Sequence, residues 1–185
     1  MTSLLTDLRN VVPLRALAIP ESYRLAELQA TRLRERLGIE TPAIPTKALL
    51  TIPRVRVTRI SGVQVSGGTG WSKGTWVIVL NDHEPETRVR FTLAHEIHHA
   101  VDGHWRDSLY PPLFNLSTRQ RSELVANHFA ACLLMPRLWV KRLYCDEGIQ
   151  DISRLARRFG VSTDAMRRRL ESLGLIDKAP RCLVA

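Results

Sequence analysis

The stretch from Arg88 to His104, RVRFTLAHEIHHAVDGH, constrains the chain more than any other. With no Pro or Gly between Glu86 and Asp102, it predicts a helix over that span, stopped by Gly103. Inside it stands His95-Glu96-Ile97-His98-His99, an H-E-x-x-H pattern. Helical positions four apart share a face, so His95 and His99 would aim two imidazoles at one point, as the first two ligands of a zinc ion. Glu96, the next residue, would reach a water on that metal and take its proton. In a chain of this composition the pattern is expected by chance on the order of 0.01 times. His98 lies about 100° round the helix from each neighbour and is read as a wall or solvent residue, not a ligand. The pattern implies a zinc-dependent hydrolase, with a peptidase as the leading reading.

A catalytic zinc takes three protein ligands and keeps one position open. His104 follows His99 by five residues, where the three-histidine pattern needs six, and Asp102 is too near along the same helix. Glu123 is the better third ligand: it sits in an otherwise apolar helix, where Ala126 and Ala130 would let two helices approach closely. Ser117 with Gln120 three residues on predicts a capping box opening that helix, and Pro136 should end it after Met135. Asn127, one turn beyond Glu123, is placed to hold a histidine ring. His128 or Tyr110 is a candidate for stabilising the oxyanion, and the sequence does not choose between them.

Ahead of the motif, Met1 to Pro20 is read as a loosely ordered leader, and Glu21 to Leu37 as a helix whose Arg32, Arg34 and Arg36 form a solvated face. Lys47 to Thr51 is a short helical turn. Arg54 to Ile60 alternates charged and β-branched residues as a half-buried strand does, with Val63-Gln64-Val65 as its continuation or partner. Ser66 to Gly70 is a Gly-rich loop lacking the order of a phosphate loop. Trp76 to Leu80 is a buried strand. These give a small antiparallel sheet of about three strands, with the Trp76 to Leu80 region or its neighbour as an edge open to an extended peptide. After the motif helix, His104 to Leu116 is loop, and Pro136 to about Glu147 a further short helix.

The pieces Arg90-Phe91-Thr92-Leu93-Ala94-His95-Glu96, Glu123-x-x-Ala126-Asn127-x-Phe129-Ala130-Ala131-x-Leu133-Leu134-Met135-Pro136 and Leu155-Ala156-x-x-Phe159-Gly160-Val161-Ser162 together resemble the ImmA/IrrE family of metallopeptidases. The resemblance runs over roughly Thr75 to Ile176. His98 departs from it, since the family usually has Gly there. It implies a mostly helical, zincin-like α+β fold with ligands His95, His99 and Glu123 and Glu96 as base. It also implies a substrate class: helix-turn-helix repressors or antitoxin-type regulators, in stress-response, mobile-element or toxin–antitoxin-like systems.

Asp151 to Leu173 reads as helix, Gly160-centred turn, helix, with helix-turn-helix spacing. Its second helix carries Arg167, Arg168 and Arg169. Either these contact DNA, or the module closes the peptidase site and docks the substrate protein; the second is favoured, because a single copy without a dimerisation segment gives limited DNA affinity. The expected division is therefore a leader (1–20), a zinc metallopeptidase domain (21–145) and a helix-turn-helix-like module with tail (146–185). The rival from another class is a DNA-binding regulator, or a toxin–antitoxin partner, with a structural metal site.

Of 27 basic residues only four are Lys; the net charge of +9 suits a nucleic-acid or acidic protein partner. Cys132, Cys145 and Cys182 form no C-x-x-C pair and point to a reducing compartment. With no secretory signal and no apolar run long enough for a membrane, a soluble cytoplasmic protein is expected, with Zn2+, or Mn2+ or Fe2+ in its place, as cofactor.

Overall fold

The computed structural model describes residues 3–177. Cys182 and the end of the basic tail lie outside them. Helix α1 (Leu4–Arg9) opens the chain, N-capped by the Ser3 side chain. Its Leu5 and Leu8 are buried, as are Val12 and Leu17 behind it, and α1 packs on helices α2 and α4. The loosely ordered leader is therefore corrected over residues 3–20: apolar positions too short to show a period gain their partners from elsewhere in the chain. Pro20 does not interrupt this region but sits in the first turn of α2 (Ile19–Arg36), where its missing N–H costs nothing. Arg34 is corrected too. It is buried, donating to the carbonyls of Leu133 and Thr41, and only Arg32 and Arg36 face outward.

After α3 (Thr46–Leu49) comes a three-stranded sheet in the order β1 (Val55–Ile60), β3 (Thr75–Asn81), β2 (Gly67–Ser72). The sheet is mixed, not purely antiparallel: β1 runs parallel to β3, and β2 antiparallel. Two expectations change here. Val63 to Val65 is loop, and the Gly-rich run expected as loop is strand β2. A two-residue turn with positive φ at Lys73 and Gly74 joins β2 to β3, the geometry that tight hairpins favour. β3 is central, so the free edges belong to β1 and β2.

Helix α4 (Glu86–Asp102) crosses the sheet, touching β2 and β3 on one side and α6 (Thr118–Leu134) on the other. From Phe91 to Asp102 every residue of α4 is buried except Phe91, His95 and His99, a single stripe spaced by four. The region between these helices, expected as loop, includes a helical turn, α5 (Arg106–Leu109). Helix α6 starts at the expected capping box: the Gln120 N–H donates to Ser117 Oγ, and the Ser117 N–H donates to Gln120 Oε1.

Helix α7 (Arg137–Lys141) runs on as a wider turn to Asp146, and α8 (Ile152–Phe159) and α9 (Thr163–Ser172) follow. Gly160, at φ 65°, makes the left-handed turn between α8 and α9. Two guanidiniums tie this pair down. Arg90 of α4 donates to Gly160 O and Ile44 O, and Arg169 of α9 donates to Met135 O. Leu155, Phe159, Met166 and Leu170 join the same buried cluster as Leu8, Leu93 and Phe129. Among the described residues, no helix is long and apolar enough to cross a membrane.

Candidate metal centre

The half-buried stripe of α4 meets α6 at three side chains. His95 Nε2 and His99 Nε2 are 3.0 Å apart, Glu123 Oε2 is 3.2 Å from His95 Nε2, and Glu123 Oε1 is 3.4 Å from His99 Nε2. Around a tetrahedral zinc with bonds of about 2.0–2.1 Å, neighbouring donors stand about 3.3 Å apart. The three separations fit one cation bound between two imidazoles and a carboxylate. Asn127 Oδ1 lies 3.0 Å from His95 Nδ1. It accepts that N–H when the ring carries its proton there, which leaves Nε2 with a lone pair facing the centre. His99 is kept neutral, its pKa lowered to about 4, first by burial and next by His95. Neutral imidazole is the form that binds metal.

Glu96 points from α4 toward β2. Thr69 Oγ1 donates to its Oε2 at 2.6 Å. Burial, the larger effect, raises the Glu96 pKa, and the Thr69 hydrogen bond opposes it. Sequence reading missed Thr69. The signal was there in Lys73-Gly74, a two-residue turn that implies a strand on each side of it.

The remaining candidates lie elsewhere. His98 is a core residue, fully buried against Phe129 at 4.9 Å between ring centroids, which corrects its reading as a wall or solvent group. Its Nδ1 faces Asp102 Oδ2 at 3.4 Å without hydrogen bonding. Tyr110 is buried and shares a hydrogen bond with Asp102. His128 stacks on Tyr23, 4.5 Å between centroids, and lies 3.4 Å from Cys132 Sγ. Among the described residues Glu27, His128 and Cys132 form a second group close enough to hold a cation. There, however, Arg137 takes both Glu27 oxygens at 2.9 and 3.1 Å, and a cation would face that guanidinium. Of the three basic candidates, Arg167 and Arg168 are exposed and Arg169 is buried as a structural clamp. A cleft of about 1000 Å³ leads from Asn127 past Phe91, Leu124 and His128 to Ala165 and Arg168 of α9.

A mixed sheet beside a helix bearing two histidines, with a glutamate delivered by the next long helix, defines a metallopeptidase-like domain. The chain belongs to the Peptidase_M78 family, the IrrE N-terminal-like domain, whose model matches residues 51–171. No curated protein matches it. Among solved structures it is similar to a Mycobacterium tuberculosis transcriptional regulator, with 18% identity and a TM-score of 0.61 over 97% of this chain and 54% of that one. The chain thus spans about half the length of that regulator, and at this identity the likeness concerns the fold.

Proposed function

We propose that the protein is a zinc-dependent endopeptidase that cuts a helix-turn-helix repressor or antitoxin-type regulator. The convergence of His95, His99 and Glu123, with Glu96 beside them, carries this reading, and the family supports it. His95, His99 and Glu123 would hold the metal, Zn2+ first, with Mn2+ or Fe2+ compatible with the same donors. When bound, the cation polarises the scissile carbonyl and lowers the pKa of a water beside it. Glu96 takes the proton released as the water oxygen attacks the carbonyl carbon. It then delivers that proton to the amide nitrogen as the C–N bond breaks. Strand β2 offers its free backbone edge next to Glu96, and an extended substrate pairing there would lie along the site. With the Tyr110 hydroxyl engaged by Asp102, His128 is the better placed of the two oxyanion candidates, since it lines the cleft.

The α8–α9 pair bears on partners. Arg168 and Ala165 of α9 line the cleft that begins at Asn127, and Arg90 ties the turn ahead of α9 to α4. This favours docking of the substrate protein over DNA. The exposed Arg167 and Arg168 of α9 would favour the second reading, a DNA-binding regulator with a structural metal. The experiment incubates the zinc-loaded chain with the helix-turn-helix protein encoded beside it. A single cut is expected from the wild type and none from Glu96→Gln at equal zinc content. A Glu96→Gln variant that cuts as well as wild type overturns the reading. In that event salt-dependent DNA binding by the full chain supports the second reading.

A further inference from the structure

The Gly-rich run of β2 brings one hydroxyl to Glu96. Among the described residues, Thr69 makes the only side-chain hydrogen bond to the Glu96 carboxylate: Oγ1 donates to Oε2 at 2.6 Å, and it also lies 3.1 Å from the Glu96 carbonyl oxygen. Oε1 receives no such bond. Residues two apart on a strand share a face, so Gly67 and Thr69 both look toward α4. A Cβ at residue 67 would sit 2.5 Å from Thr92 Cγ2 and 2.9 Å from Val79 O. At Gly68 and Gly70, on the other face, it would meet nothing within 4 Å. Only glycine at 67 therefore lets the strand lie close enough to α4 for Thr69 to reach the carboxylate.

We infer that Thr69 is a positioning residue for the reaction. It pins one oxygen of Glu96 and fixes the plane of the carboxylate, so that the other oxygen is the proton acceptor. The inference rests on Glu96 acting as the base. It also gives the edge strand a second task, because a substrate paired along β2 aligns the strand that holds the base. A carboxylate released to rotate would spend little time in the productive orientation, and misplacement on the order of 1 Å costs about 100-fold.

The test uses the full chain loaded with zinc and a quenched fluorescent peptide selected from a mixed-sequence library. Thr69→Val keeps the shape of the side chain and removes the donor. It should lower kcat about 10- to 100-fold, with KM within about twofold and zinc content unchanged. Thr69→Ser should recover kcat to within about threefold of wild type, and Gly67→Ala should act in the same direction as Thr69→Val. Wild-type kcat in Thr69→Val, or no recovery in Thr69→Ser, overturns the inference. Crystal structures of wild type and Thr69→Val supply a readout without turnover. A carboxylate that keeps its orientation without the hydroxyl overturns the inference, and one that rotates freely supports it. A wild type that cuts no peptide while the variant's carboxylate rotates overturns the peptidase reading and with it any role of Thr69 in turnover, and leaves only the contact that orients the carboxylate.

Discussion

At the residue scale, burial decides which ionisable groups are charged. Asp102 has its pKa raised to about 7, first by burial, against the pull of Tyr110, Arg9 and Arg106. In the unfolded chain it titrates near pH 4 (about 3.9). The folded state thus holds the proton more tightly, so this group's contribution to stability is complete below about pH 4 and is lost as the pH rises toward 7. Asp102→Asn should remove that loss. In metal-free protein, the wild-type melting temperature should fall relative to the variant between about pH 4 and 7 and run parallel above. Melting curves that stay parallel throughout would mean that Asp102 titrates normally. The two histidines that converge on Glu123 were legible as a pair because a spacing of four needs only a helix. The Lys73-Gly74 turn marks the strand that holds Thr69, but the pairing of Thr69 with Glu96 was not legible, since the two are 27 residues apart and hydrogen bonds across such a gap leave no periodic trace.

At the element scale, local signals set the helix ends. Gly103 ends α4 at φ 54°, where the Arg9 side chain also donates to the Val101 and Ala100 carbonyls. Such a cation at a helix C-terminus suits the dipole. Helix α6 begins at its capping box, under two turns before Glu123, so its start sets where that carboxylate falls. Ser117→Ala should cost roughly 1 kcal/mol in urea unfolding. It should also weaken zinc binding modestly, as measured by competition with a chromophoric chelator, because the first turns of α6 would fray. Unchanged stability would mean that tertiary contacts hold that end without the cap. The helices read well for this reason: caps and 3.6-residue periods are written within a few residues of each other. β2 read poorly, because glycine carries no strand preference and its place depends on what lies against it.

At the scale of the whole molecule, one buried cluster runs from Leu5 in α1 to Leu170 in α9 and ties both ends of the described chain to the site. Leu8 is fully buried, on a helix that packs against α2 and α4. Leu8→Ala should therefore destabilise the protein by about 2–5 kcal/mol in denaturant unfolding, whereas a loosely attached leader would show almost no change. The helix carrying His95, Glu96 and His99, the helix carrying Glu123, and the overall mix of helices with a small sheet were set by the sequence itself, because periodicity, capping and motif spacing are short-range properties. Tertiary structure alone decided the parallel pairing of β1 with β3, the docking of α1, the burial of Arg34 and His98, and the meeting of Thr69 with Glu96. Each of these depends on surfaces brought together from distant parts of the chain, where packing and desolvation outweigh any local preference.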